Sequence, residues 1–274
     1  MKSKIPGATG VAAAPFAVFT SVDGTLLDAR TFELGPNRAV IKRLVDSGIP
    51  VVPVTVMTFD EVAPIAEELG LRHAMVIEAG GAIARWKDGV WDVEPYGPPA
   101  DTLLDVVAQI EERSGADLLV YSALDAADAA TLSGRTGAML RASTIRCFSE
   151  PFVIERGDLA EVKRAADSLG FSVRRGRRFL HLCRKCDEGH AYERLREELR
   201  CEVAVGIGSA AIDAEFLARA DIAVIIPGPD GEVDPELRKS VPDARIASAP
   251  GPAGWALAID EVCQNLLAPR ARRA

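Results

Sequence analysis

The chain has 274 residues, of which 48% are hydrophobic and 26% charged, and its formal net charge is -8. This length allows one large or two small domains with a substantial core. The acidic balance gives no basic surface for nucleic acid, and no apolar run approaches the roughly 20 residues that span a membrane. Five cysteines form no even disulfide framework, so we expect reduced thiols and a cytoplasmic protein without nucleic-acid or membrane partners.

Strand and helix patterns alternate in the first part of the chain. After a lead-in of residues 1–14 that we expect to be flexible, the apolar run 16–19 predicts a buried strand. A helical spacing of apolar residues over 36–47 ends at a glycine. Further elements are predicted as strand 51–54, helix 61–69 and strand 75–77. This alternation favours a parallel sheet with helices on both faces.

The pattern changes between residues 82 and 184. Asp88-Gly89 lies at the centre of a predicted hairpin. Further predicted elements are helices over 101–113 and 159–169, a helix and loop over 125–136, and strands over 152–154, 171–173 and 179–182. This mixture predicts an inserted α+β cap domain.

The alternation returns after residue 185. The predicted elements are helix 188–199, strand 203–205, helix 212–219, strand 222–225, a long surface connection over 227–250, helix 252–267 and a flexible tail over 269–274. The predicted fold class is therefore α/β, with a parallel-sheet core formed by residues 15–81 and 185–268 and a cap formed by 82–184. This arrangement places a ligand site between core and cap.

Polar side chains follow the predicted core strands at the points where the strands end. They lie in 20–25, 55–58 and 206–213, and the turn 185–189 adds a fourth group. Because the carboxyl ends of parallel strands meet at one edge of a sheet, we expect these groups to lie close together and to bind a ligand.

Several short motifs, in this order and spacing, resemble the haloacid dehalogenase (HAD) superfamily and, within it, the mannosyl-3-phosphoglycerate phosphatase group. They are VDGTLL at 22–27, PVVPVT at 50–55, FSEPF at 148–152, GRRFLHL at 176–182, DEGHA at 187–191, ADIAVIIPGPDG at 220–231 and APGPAGW at 249–255. The resemblance extends over 16–267 and implies a Rossmann-like parallel-sheet core with an inserted α+β cap.

In that superfamily one aspartate attacks the phosphoryl group and a second, two residues on, protonates the leaving oxygen. The matching positions here are Ser21 and Asp23, so the nucleophile is lost and the acid is retained. Thr55 matches the hydroxyl that binds the phosphate. Glu188 stands where the family has a lysine, and this reversal of charge would repel a phosphate.

The family binds Mg²⁺ through carboxylates, which Mg²⁺ prefers. The matching positions are Ser209 and Asp213, of which only the second is an acid. The resemblance therefore implies that the metal site is no longer functional, and we expect the family's Mg²⁺ to be lost and no other cofactor to be bound.

Other positions are candidates for contacts with the substrate. Gly24, Thr58 and Gly80 follow core strands, and Lys185 lies beside the altered lysine motif. Ser149 and Glu150 match the part of the cap that is expected to meet the sugar-acid portion. The alternative, that this segment only packs the start of a strand, is equally compatible with the sequence.

The altered positions are dispersed, whereas the apolar framework is intact. We therefore expect a non-catalytic or strongly impaired phosphatase that binds a phosphorylated or carboxylated sugar derivative or a partner protein. An active sugar-phosphate phosphatase and a structural or regulatory subunit with an empty cleft are the alternatives. The sequence does not predict the oligomeric state.

The sequence also contains residues that are typical of two further chemistries. A serine hydrolase needs a base beside Ser21 or Ser209, and none of the three histidines is an evident partner. The pair Cys183-x-x-Cys186 between two histidines could bind zinc, but its spacing matches no common zinc site. Thiols without a metal are the favoured interpretation.

Overall fold

The computed structural model describes residues 14–184 and 187–267. Its strands are β1 Phe16–Thr20, β2 Val51–Pro53, β3 Ala74–Ile77, β4 Ala82–Lys87, β5 Val90–Pro95, β6 Asp117–Val120, β7 Glu150–Arg156, β8 Phe171–Arg175, β9 Leu180–Arg184, β10 Val203–Gly208, β11 Ile222–Ile225 and β12 Arg245–Ile246. Its α-helices are α1 Asn37–Asp46, α2 Phe59–Glu68, α3 Ala100–Ser114, α4 Ala126–Ser133, α5 Gly137–Thr144, α6 Leu159–Ser168, α7 Asp187–Leu199, α8 Ala214–Leu217, α9 Pro235–Ser240 and α10 Gly251–Leu267.

The core is a parallel sheet in the order β12-β11-β10-β1-β2. Every residue of the central strand β1 is buried. Its side chains alternate between two apolar clusters: Phe16 and Val18 pack with α1, α2 and α10, while Ala17 and Phe19 pack with α7, α8 and α9. This two-sided burial explains why β1 reads as a continuous apolar run. The predicted α/β class with a parallel-sheet core is confirmed.

The predicted hairpin forms, but it joins the core. Strands β4 and β5 pair antiparallel with β3, and β3 contacts the core sheet through a parallel bridge between Val54 and Val76. Ala82 and Ala84 lie in the core cluster. The sequence placed this hairpin in the cap, whereas its buried face packs with β3 and the core.

The cap is an antiparallel sheet in the order β6-β7-β9-β8, with α3 and α6 packed against it through a separate apolar cluster. Strand β6 and helix α5 were not predicted from the sequence. Nor were α9 and β12, which lie within the predicted surface connection 227–250. Within the described ranges no helix is long and apolar enough to cross a membrane.

One buried hydrogen bond joins the first strand of the core to its last helix. Trp255 of α10 is completely buried, and its Nε1 donates to Oγ1 of Thr20 over 2.9 Å. Thr20 is the last residue of β1, so this bond ties the final helix to the strand that leads into the polar edge of the sheet.

We expect Thr20→Val to lower the free energy of unfolding by about 1–3 kcal/mol, because it leaves the indole N–H buried without an acceptor. In a Trp255→Phe background, where that donor is absent, the same change should cost much less. Urea unfolding of the four proteins measures the coupling. Equal costs in the two backgrounds would contradict this role of the bond.

Candidate functional site

A narrow cavity lies between the carboxyl edge of the core sheet and the cap. Its free volume is about 50 Å³. The core lining residues are Ser21, Val22, Asp23, Thr55, Val56, Glu61, Ser209, Ala210, Ile212 and Asp213, and those from the cap are Tyr121, Arg135, Ser143, Arg146, Pro151, Gly176, Arg177, Arg178, Phe179 and His181. The cavity therefore joins the predicted strand-end residues to a set of cap side chains.

Ser21 and Asp23 stand at the end of β1 and both line the cavity. Ser21 is 6% exposed, and its Oγ lies 2.7 Å from Oγ1 of Thr25 in a hydrogen bond. Asp23 Oδ2 accepts a 2.7 Å hydrogen bond from Nη1 of Arg178 in the cap. Its other oxygen, Oδ1, is buried and has no hydrogen-bond partner among the described residues.

Ser209 and Asp213 follow β10 and face the same cavity. Asp213 Oδ2 accepts hydrogen bonds from the amides of Ser209 and Ala210, over 2.6 and 3.0 Å. Burial raises the pKa of Asp213 to about 6, and these amides together with the charge of Arg177 oppose the rise. In the described part of the chain, no group of three or more His, Cys, Asp or Glu side chains could hold a metal ion.

Thr55 and Thr58 shape the turn between β2 and α2. Thr55 lines the cavity, and its Oγ1 accepts a hydrogen bond from the amide of Met57. Thr58 caps α2 in a capping box with Glu61 and donates its hydroxyl to the carbonyl of Ala142 in the cap. Thr58 therefore holds core and cap together outside the cavity lining.

Cap arginines form buried ion pairs with core carboxylates. Arg135 donates from Nε to Oε1 of Glu61 over 2.7 Å, and its guanidinium lies 3.7 Å from Asp23. Arg146 lies 4.0 Å from Glu61 and 3.5 Å from Glu78, and it donates to the carbonyl of Val56. The side chains of Arg135 and Glu61 are only 7% and 1% exposed, so these charges compensate each other away from solvent.

Glu78 anchors the cap segment that leads into β7. Its carboxylate accepts from the amides of Cys147, Phe148 and Ser149. The backbone of Glu78, Ala79 and Gly80 is left-handed at all three residues, with φ of 48°, 58° and 88°. Gly80 and Ser149 therefore support this anchor, and neither lines the cavity.

Glu150 makes an internal contact within the cap. It accepts hydrogen bonds from the amide and the hydroxyl of Ser122, over 3.0 and 2.8 Å. Burial raises its pKa, and the Ser122 bonds oppose that rise. The neighbouring Pro151, not Glu150, lines the cavity. These contacts match the packing interpretation of this segment.

Three predicted positions fall wholly or partly outside the described residues. Lys185 and Cys186 lie in the gap between the described ranges. The backbone of Glu188 belongs to α7, but its side chain is not described. The predicted charge reversal and the Cys-x-x-Cys interpretation thus stay predictions.

His181 lies in the wall of the cavity. It is 4% exposed, and its Nδ1 has no hydrogen-bond partner among the described residues. Burial lowers its pKa well below the ordinary 6.5, and the nearby charges of Arg146, Arg135 and Arg174 lower it further. No hydrogen bond in the described part of the chain joins His181 to Ser21 or Ser209, so the contacts of a serine-hydrolase pair are not present there.

The sequence did not predict that cap arginines line the cavity. Arg135 and Arg146 lie in a stretch that gives no local signal for a site. Arg177 and Arg178 belong to the quoted GRRFLHL motif, in which two adjacent arginines follow a glycine at the start of a strand. Two adjacent arginines next to a buried strand could have indicated the site, because buried cations need counter-charges or a ligand.

Comparisons with known proteins agree with the resemblance. Residues 18–132 match the family model of haloacid dehalogenase-like hydrolases. A glucosyl-3-phosphoglycerate/mannosyl-3-phosphoglycerate phosphatase of Methanococcoides burtonii is 26% identical, covering 88% of this chain and 95% of that protein. A phosphatase with the same name from Persephonella marina is 27% identical, covering 87% and 93%.

Solved structures share the fold. A haloacid dehalogenase-like hydrolase from Bacteroides thetaiotaomicron has a TM-score of 0.63 at 19% identity, covering 91% of this chain and 99% of its own. A subclass IIB sugar phosphatase of the superfamily has a TM-score of 0.64 at 13% identity, covering 90% and 98%. The HAD-type fold with a cap, and the similarity to the mannosyl-3-phosphoglycerate phosphatase group, are thereby confirmed.

We expect Glu61→Gln to lower the free energy of unfolding by about 3 kcal/mol, because the buried Arg135 and Arg146 would lose the carboxylate that they share. Glutamine keeps the capping box, so the loss reports the ion pairs. Glu68→Gln in the same helix breaks an exposed pair with Arg38 and should cost less than about 1 kcal/mol. Urea unfolding compares them, and equal losses would refute the role of the network.

We expect acid to destabilise the wild type more than His181→Gln. The pKa of His181 is lowered in the folded protein. Below pH 6.5, His181 is therefore protonated in the unfolded chain but stays neutral in the folded protein. Stability is lost as pH falls through 6.5, by about 1 kcal/mol over the first pH unit below it and by about 1.4 kcal/mol per unit further down. Unfolding at pH 7.5 and 5.5 measures the difference, in which contributions from other titrating groups cancel. Parallel pH profiles would contradict the prediction.

Proposed function

We propose that this protein binds a phosphorylated or carboxylated sugar-acid derivative between core and cap and does not hydrolyse it efficiently. The basis is its haloacid dehalogenase fold and its similarity to the glucosyl-3-phosphoglycerate/mannosyl-3-phosphoglycerate phosphatases. The observation that carries the proposal is Ser21. It occupies the end of β1, where the superfamily places its nucleophilic aspartate, and its hydroxyl is hydrogen-bonded to Thr25.

Asp23, the retained acid, already forms an ion pair with the cap. Asp23 accepts from Arg178 through Oδ2, so Oδ1 is the oxygen left to meet a ligand. An ion-paired carboxylate in this position supports binding and orientation of a ligand. It supplies no substitute for the missing nucleophile, because it stands two residues away from that position.

The donor set fits Mg²⁺ poorly. Ser21 and Ser209 supply neutral hydroxyls where the superfamily has carboxylates, and Asp213 already accepts two amide hydrogen bonds. Mg²⁺ dehydrates reluctantly and needs octahedral oxygen ligands, usually including carboxylates. This supports a site that functions without the family's metal ion.

The lining supports an anionic ligand. Four arginines and three carboxylates line the cavity, and the arginines come from the cap. A phosphoglycerate ester carries both a phosphate and a carboxylate, and such a ligand matches clustered guanidinium groups. The free volume of about 50 Å³ is far below the roughly 300 Å³ of ordinary ligand pockets, so binding requires movement of the cap.

An active phosphatase is the second candidate. The similarity to named phosphatases over most of the chain and the retained Asp23 favour it. In that case a different group would have to attack phosphorus or activate water, and metal ions would have to bind with fewer carboxylates.

The test is to measure binding and turnover of glucosyl- and mannosyl-3-phosphoglycerate on the same preparation. Calorimetry should detect binding of at least one ester. Phosphate release with millimolar Mg²⁺ should stay at the level of the Asp23→Asn control. Robust release by the wild type that Asp23→Asn abolishes would refute the impaired-enzyme proposal, and absence of binding by either ester would refute the ligand class.

A further inference from the structure

Two of the three guanidinium nitrogens of Arg177 are buried at the cavity without an acceptor among the described residues. Its Nε and Nη2 have no hydrogen-bond partner within residues 14–184 and 187–267. Its neighbour Arg178 is fully engaged, with Asp23, the carbonyl of Ala29 and the ring of Phe32. Leaving buried donors unpaired is costly, so Arg177 needs an explanation that Arg178 does not.

Two turns of the core leave room for this side chain. A Cβ at Gly24 would lie 2.4 Å from Nε of Arg177, and a Cβ at Gly228 would lie 3.5 Å from Nη1. Gly24 follows the end of β1 and has a left-handed φ of 76°. The core thus accommodates the cap guanidinium directly beside the predicted catalytic turn.

The charge of Arg177 is not neutralised by an ion pair. Among the described residues, no carboxylate oxygen lies within 4.0 Å of its nitrogens, although the side chains of Asp23 and Asp213 line the same cavity. Asp23 is paired with Arg178, and one oxygen of Asp213 accepts from two amides. Burial raises the pKa of Asp213 and the charge of Arg177 opposes that rise, but the two side chains form no direct ion pair. Nε and Nη2 of Arg177 therefore lack an acceptor that an external oxyanion would supply.

We propose that Arg177 is a built-in cation that takes the place of the metal ion in this cleft, so that a phosphate group binds its Nε/Nη2 edge beside Ser21 and Ser209 without Mg²⁺. This inference rests on the proposed function and identifies the group that recognises the ligand. A guanidinium edge offers two parallel donors that match two phosphate oxygens. The two serines, being neutral, add hydroxyl donors where carboxylates would repel the phosphate.

An open groove adjoins the site. Arg177 and Ser209 also line an open groove of about 290 Å³ that runs along Gly228 and Asp234. The Arg177 side chain thus separates the closed cavity from this groove. Because Nε and Nη2 are buried, an oxyanion that enters the groove reaches this edge only when the cap or the Arg177 side chain moves.

The first test compares wild type with Arg177→Met, which keeps the length and removes the charge. In the ligand-free state the variant should melt a few degrees higher, because two unpaired buried donors are gone. With 3-phosphoglycerate and EDTA, only the wild type should gain stability, and calorimetry should show at least a tenfold weaker affinity in the variant. Arg177→Lys should be intermediate, and Arg164→Met, an exposed arginine of α6, should match the wild type.

The outcomes separate the two proposals. If 3-phosphoglycerate binds wild type and Arg177→Met equally, the role of Arg177 is refuted and the proposed ligand class stands. If neither 3-phosphoglycerate nor the sugar esters bind the wild type, both proposals fail. Glycerate lacks the phosphate, so wild type and Arg177→Met should bind it with similar affinity. An equal loss for glycerate would refute phosphate as the group bound by Arg177.

The second test asks whether Arg177 excludes the metal. Mg²⁺ alone is titrated into Ser21→Asp/Ser209→Asp, with and without Arg177→Met, and binding is read by calorimetry and melting temperature. Ser21→Asp/Ser209→Asp should not bind Mg²⁺, because the Arg177 guanidinium occupies the neighbouring space and repels the cation. With Arg177→Met added, Mg²⁺ should bind and raise the melting temperature. Equal Mg²⁺ binding by both, or binding by neither, would overturn the substitution of metal by arginine.

Discussion

The arrangement of this protein depends on a buried set of charges shared by two bodies. Glu61 and Glu78 belong to the core, whereas Arg135 and Arg146 belong to the cap, and all four side chains are almost completely buried. Isolated charges in such surroundings would be strongly unfavourable, so each body supplies the counter-charge that the other needs. The cap can therefore occupy this position only when the ion pairs form.

This constraint explains the closed cleft. With Arg135 and Arg146 bound to the core, the β8–β9 turn of the cap lies against the end of β1, and Arg178 reaches Asp23. Little free volume remains. Opening the cap would expose both members of each pair to water, where hydration repays much of the lost attraction. Buried ion pairs therefore give a specific closed geometry without making that geometry irreversible.

The charges of the cleft differ in sign and source from those that the similarity to haloacid dehalogenase-like hydrolases implies. In our proposal, Ser21 and Ser209 stand where that superfamily has carboxylates for a divalent cation, and Arg177 supplies the positive charge. Removing fixed negative charge and placing a guanidinium nearby both favour an anionic ligand. In this proposal an oxyanion can bind without a nucleophilic aspartate, because recognition and phosphoryl transfer depend on different groups.

The sequence by itself determined the features that depend on neighbouring residues. The apolar run of β1, the βα alternation and the ordered motifs predicted the parallel-sheet core, the cap and the polar edge with Ser21 and Asp213. Short-range patterns are sufficient there, because burial periodicity and strand direction fix which ends of the strands meet.

Only the tertiary structure decided which cap groups complete the site and where the hairpin 82–95 belongs. Arg135 bonds Glu61 across 74 positions of the chain, and Arg146 bonds Val56 across 90. The hairpin pattern is local, but its pairing with β3 is a matter of register and packing. No local periodicity encodes such contacts, because they arise only when two separately packed bodies dock and their buried charges must find partners.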